Sequence, residues 1–344
     1  MKKLIYCMTS LLLVFPLLFP SQKYVNESGN VNVVIVKDPY TDSRTGPELV
    51  QGPEKLEKGG LIEVLKKSGC KILKISEVRM PPESEREYGE WNRASLTNRT
   101  LGRILSSYNK DEVFFVGLLS GSKSLVGMLA GLQHLGPERV PLKDSRGRDI
   151  VGLPRLRDSK PLKVGLVWID AQAAFNTADI TIEGDMGGMN VAVAAGLNNF
   201  NLRLQAGLDP PLSTKYIVMA GVRDTNPYED QLIDNSFIEK ISVEEIRVLS
   251  NNIRNQMDRL SRLTDVIYIH VDLSVLDPAE IPGHPHAYPD GPSSQQLASA
   301  LEVMFNYPKT AAIGIASFPD DPQEITSKAA YRLIEGAIRG IKNR

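Results

Sequence analysis

The sequence predicts a single α/β domain of three layers, with an eight-stranded parallel sheet between two layers of helices. Three observations carry this. Apolar, β-branched-rich runs recur eight times along the 344 residues. Most are continuous rather than alternating, as in strands of a parallel sheet covered on both faces. Helix-patterned segments separate them, the order expected of a layered α/β fold.

In chain order the predicted strands are Val31–Lys37, Lys71–Ser76, Val113–Leu118, Val164–Asp170, Tyr216–Val222, Phe237–Ser242, Val266–Val271 and Ala311–Ala316. The first helix, Pro53–Ser68, sets Leu56, Leu61, Ile62, Val64 and Leu65 among charged residues. The others are Lys123–His134, Met189–Leu197, Val243–Leu263, Ser293–Phe305 and Ile325–Lys342. Pro278–Pro292 is rich in Pro and Gly and reads as a long functional loop, because a strand and a helix still follow it. Ligands of open parallel sheets bind beyond the carboxyl ends of the strands. That points to Ser120–Ser124, Asp170–Gly188, Arg223–Glu229, Asp272–Pro278 and Ser317–Asp321.

Composition bounds the function. With 42% apolar and 24% charged residues and a formal charge of −1, the chain is an ordinary globular protein with no basic run for nucleic acid. Residues 1–22 differ from the rest. Lys2 and Lys3 precede the apolar run Leu4–Phe19, which reads as a secretory signal or an uncleaved anchor, the alternative being a buried helix. Export or membrane anchoring is therefore the expectation, with one domain over residues 31–344. The two cysteines, Cys7 and Cys70, allow no disulfide framework. Asn26 and Asn98 each open a glycosylation sequon too short to carry weight alone.

The segment from Asp170 through Gln172 and Ala174 to Asn176 and Thr177 is similar to the Asp-Ala-His-x-Asp metal motif of the arginase family of ureohydrolases. Four further stretches carry the resemblance: Arg44–Leu61, Gly187–Met189, Gly221–Pro227 and His270–Pro278. It implies the arginase/deacetylase-type fold, a homo-oligomer, and a pair of Mn²⁺ ions held by two His and four Asp. Such a pair lowers the pKa of a bridging water, and the hydroxide attacks a guanidinium carbon.

Transferred residue by residue, the resemblance leaves two ligands, Asp170 and Asp272. Lys123, Gln172, Ala174 and Ser274 occupy the other four ligand positions. A charged Lys has no lone pair, and Gln and Ser are weak neutral ligands for a divalent ion. The expectation is that no cofactor binds, the alternative being a weak or single manganese ion. Lys123 is expected either to pair with Asp170 and Asp272 where a metal would sit, or to face solvent. The resemblance also places Asn176, Thr181 and Glu183 on the loop that reads an α-carboxylate. Asp224 and Asn226 fall on the turn that reads an α-amino group. Gly187 stands in place of a catalytic His, and Ser317 in place of a guanidinium-binding Glu. Glu183 would repel a carboxylate, so a small guanidino or amine ligand lacking one fits best.

The family function implied is therefore an arginase-like protein without its metal pair, binding a ligand or partner. The alternative is a divergent hydrolase of linear amidines with a reduced metal site. His284, His286 and Asp290 offer a second candidate metal site in the long loop, or are simply exposed. No Ser/His/Asp set and no phosphate-binding glycine loop is suggested by position.

Overall fold

The computed structural model describes residues 23–40, 47–135, 139–143, 149–156 and 160–344. The proposed export segment, residues 1–22, lies outside the described residues. All eight predicted strands form. They are β1 (Val31–Asp38), β2 (Cys70–Glu77), β3 (Phe114–Leu119), β6 (Val164–Ile169), β7 (Ile217–Ala220), β8 (Glu239–Ile241), β9 (Val266–Asp272) and β10 (Thr310–Ala316). They pair in the order β2-β1-β3-β10-β9-β6-β7-β8, and every neighbouring pair is parallel.

The four central strands, β3, β10, β9 and β6, are buried at every position. This is why their sequences read as unbroken apolar runs: helices cover both faces. Fully burying a Leu, Ile or Phe contributes roughly 1.5–3 kcal/mol, so this centre is the main source of cohesion.

Several elements differ from expectation. A two-stranded antiparallel hairpin, β4 (Arg139–Lys143) with β5 (Asp149–Leu156), was not anticipated. Neither was the helix Glu90–Ser106, which the sequence hides behind Ser, Thr and Asn. The predicted helix Pro53–Ser68 is broken: Gly60 sits at φ 123°, a value that favours glycine, and a fresh helix, Ile62–Lys67, follows. The predicted helix Val243–Leu263 is two helices, because Leu249 turns left-handed and Ser250 caps the second.

Helix Glu90–Ser106 packs on helix Leu125–Gln133 through Asn98. Its amide donates to the Ala94 carbonyl at 2.7 Å and accepts the Gly127 N–H at 2.5 Å. A Cβ at Gly127 would lie 2.7 Å from the Asn98 carbonyl oxygen, so glycine permits the close approach. Asn98 is only 1% exposed, so the asparagine of this sequon is core structure.

Candidate active-site cleft

The carboxyl ends of β3, β10, β9, β6 and β7 converge on a cavity of about 290 Å³. Each strand delivers one part of it. After β3 come Ser122 and Lys123; Ser317 follows β10; β9 ends on Asp272; β6 leads into Asp170; the loop after β7 carries Asp224.

At the floor, the two surviving acidic positions are surrounded by hydroxyls. Ser274 Oγ donates to Asp170 Oδ1 at 2.6 Å, and the Gln172 N–H to the same oxygen at 3.0 Å. Asp272 Oδ2 accepts Ser122 Oγ at 2.8 Å and Ser317 Oγ at 2.5 Å; its Oδ1 accepts the Ser274 N–H at 3.0 Å. Burial and the neighbouring Asp272 charge push the Asp170 carboxyl well above the usual range. Burial opposes ionisation of Asp272 too, but His284, the Ser317 hydroxyl and the Ser274 N–H outweigh it and leave its pKa lowered. The two buried carboxyls are thus shifted in opposite directions, Asp170 toward its protonated form and Asp272 toward its ionised form.

Lys123 does not pair with this couple. Its ammonium meets Glu90 Oε1 at 2.9 Å, on the helix the sequence did not reveal. Burial pulls the Lys123 ammonium down to about 7, against Asp185 and Asp38. Lys123 is 8% exposed, so the alternative that it faces solvent is also set aside. Behind it, burial raises Asp38 to about 6, opposed by Ser124, the Tyr40 N–H and Lys123.

The remaining predicted positions are largely structural. Gln172 Nε2 donates to Asp224 Oδ2 at 3.1 Å, tying the loop after β6 to the loop after β7. Asn226 caps helix Pro227–Asp234 by accepting from Tyr228 and Glu229, and its amide donates to Asn176 at 2.7 Å. Thr181 accepts the Gly184 N–H, and Gly187 accepts no such role, its N–H donating to Asp185. Ala174 holds φ 50° and is buried, a left-handed conformation that a side chain rarely adopts. Glu183, Asp185 and Asp224 stand along the outer part of the cleft, where Glu183 is exposed.

The candidate metal trio His284, His286 and Asp290 is not assembled. His284 Nδ1 accepts the His286 N–H, and the two ring centroids are 6.3 Å apart. Among the described residues no three His, Cys, Asp or Glu are grouped to hold an ion. Nor are both histidines exposed: His284 is 6% exposed and its Nε2 has no partner. Arg223 anchors this loop, donating to the Pro289 and Tyr288 carbonyls.

Sequence position also concealed a hydroxyl–imidazole contact. Ser122 Oγ lies 3.1 Å from His270 Nε2, and Tyr268 OH lies 3.0 Å from His270 Nδ1. His270 is a hydrogen-bonded core residue. It is fully buried and stacks on Trp168, with centroids 4.5 Å apart and planes 7° apart. A Cβ at Gly314 would strike the Tyr268 hydroxyl, so glycine makes room for that group.

Comparison with known proteins gives a consistent result. A profile of the arginase family matches residues 150–339. The arginase of Entamoeba histolytica is 25% identical over 322 residues, covering 91% of this chain and 98% of that protein. The crystal structure of arginase from Bacillus subtilis superposes with a TM-score of 0.73 at 20% identity, covering 89% of this chain and 98% of that one. The formimidoylglutamase of the same organism superposes with a TM-score of 0.64 at 16% identity, covering 90% and 87%. At such identities the structural likeness speaks for the fold.

Proposed function

Because the chain belongs to the arginase family of ureohydrolase-type proteins, we propose that it is a member that has lost the manganese pair and ureohydrolase turnover and binds a small cationic ligand in the former catalytic cleft. The observation that carries the reading is the state of the floor. Relatives in this family use manganese, yet the donors here do not fit two divalent ions. Two carboxyls remain, and both already accept hydrogen bonds from serine hydroxyls and backbone N–H groups. Burial and the neighbouring Asp272 charge disfavour ionisation of one of them, Asp170. A buried ammonium and an alanine stand at two of the other ligand positions. Six carboxyl groups line the cavity against one ammonium, which favours an amine or guanidinium and disfavours a carboxylate.

Elemental analysis after purification in Mn²⁺, with urea release measured across guanidino compounds, tests this. The expected result is sub-stoichiometric metal, no urea, and calorimetric binding of agmatine in preference to arginine. Two manganese ions per chain with urea release would overturn it. A second reading, a hydrolase of linear amidines with one ion, is favoured by the retention of Asp170 and Asp272 in a single cleft. It predicts one ion per chain and turnover that Asp272→Asn removes. The substitutions Lys123→His, Gln172→His, Ala174→Asp and Ser274→Asp together test whether these four positions alone separate the chain from a metal-binding relative.

A further inference from the structure

We infer that the molecule has a membrane seat away from the cleft, at the β2 edge and the amino ends of the strands. There Lys66, Lys67, Lys71 and Lys74, with Leu73 and Ile75 among them, dock on a bilayer of anionic phospholipid. Lysines are distributed unevenly along the strand axis. Toward the carboxyl ends they are neutralised: Lys37, Lys55, Lys58, Lys123 and Lys328 each meet an Asp or Glu carboxylate. On the other side, Lys66 and Lys67 close helix Ile62–Lys67, and Lys71 and Lys74 follow on β2. All four are exposed, and none of them forms an ion pair among the described residues. Lys342 reaches the same place, its ammonium 3.4 Å from the Ser68 carbonyl oxygen at the turn into β2.

The strand beneath these lysines is open. β2 is an edge strand, bonded only to β1. Leu73 is 44% exposed and Ile75 38%, and Lys74 between them is exposed too, so neither face of this stretch is covered. Lysines at a helix end complement the helix dipole, and lysines on an edge strand deter pairing with another sheet. Neither role calls for two uncovered aliphatic side chains in the same cluster. A lipid surface does: ammonium groups meet its phosphates, while Leu and Ile enter the boundary between headgroups and acyl chains.

The chain path points to the same occupant. Lys23, the first residue described, lines a groove with Leu73 and Tyr108 and meets Asp111 there at 2.9 Å. Only Pro20, Ser21 and Gln22 separate it from the apolar run Leu4–Phe19. A run suited to lipid thus joins the fold beside a basic, partly apolar surface. Nucleic acid is the poorer match, because Leu73 and Ile75 offer bases no ring to stack on. The seat uses no residue of the cleft and stands independently of the ligand reading.

Co-sedimentation of the full chain with phosphatidylcholine vesicles, with or without about one-third phosphatidylglycerol, tests this. Binding should be at least roughly tenfold tighter to the anionic vesicles at about 0.1 M salt, and the gap should close at about 0.5 M. Binding to the neutral vesicles measures the apolar N-terminal run separately. Lys66→Gln with Lys67→Gln and Lys71→Gln should remove most of the gap. Lys55→Gln with Lys58→Gln and Lys328→Gln changes the net charge equally, at the other end, and should leave the gap intact. Leu73→Ser with Ile75→Ser should weaken anionic-vesicle binding several-fold without altering its salt dependence. No preference for anionic vesicles, equal losses from the two lysine triples, or no effect of the Leu73 and Ile75 pair would overturn the seat. So would tighter binding to single-stranded RNA than to anionic vesicles at equal phosphate.

Discussion

The floor and the outer part of the cleft both carry carboxyl groups, but they differ in what surrounds them. At the floor, Asp170 and Asp272 are buried and ringed by donors from their own chain. Farther out, Glu183, Asp185 and Asp224 face the cavity from loops. The floor has become part of the protein's internal hydrogen-bonding, while the outer groups keep an open side toward a ligand. A fold can therefore retain its pocket and its charge preference after the chemistry at its centre has been replaced.

The contrast can be broken most forcefully at Asp272. Asp272→Ala should destabilise by about 3 kcal/mol in urea unfolding, because two hydroxyls and an N–H lose their acceptor in a buried setting. Asp170→Asn, which imitates the protonated form and keeps both acceptor contacts at Oδ1, should change stability by less than about 1 kcal/mol at neutral pH. Equal effects at the two sites would remove the distinction drawn between them.

Asp38, behind Lys123, should show itself through pH. Its folded pKa of about 6 lies above the ordinary 3.8. Its contribution is therefore fully present below about pH 4 and is lost as pH rises through 6, a change on the order of 3 kcal/mol. Asp38→Asn should flatten that part of the stability curve and raise stability at pH 7.5 while altering it little at pH 4.

The outer groups should behave in the opposite manner to the floor. Glu183→Gln should leave thermal unfolding within about 0.5 kcal/mol, as surface changes usually do. Agmatine binding should weaken about tenfold, roughly 1.4 kcal/mol. The smallest effect is expected at Ala174. Ala174→Gly should stabilise by about 0.5–1 kcal/mol in thermal unfolding, since glycine adopts its left-handed backbone without a Cβ clash.

The sheet was legible because burial on both faces leaves long apolar runs, and the β6 and β9 termini were legible because acids end those runs. The surroundings of the acids were not. Glu90 reaches Lys123 from a helix whose buried face includes Ser95, Thr97 and Asn98, so apolar periodicity missed it. Ser122 and His270 are 148 residues apart, and only the neighbouring of β3, β10 and β9 brings them together. His284 looked like a loop residue because Pro and Gly flank it, yet the Arg223 anchor folds the loop inward over Asp272.

The burial of Asn98 between two helices bears on how the protein can be produced. An oligosaccharide transferred to that amide during translocation, before the helices close, would have no room in the finished molecule. A glycosylating secretory host should then yield a retained, misfolded fraction that Thr100→Ala rescues, since Thr100 lies on a partly exposed side of the helix and is not needed for the Asn98 contacts.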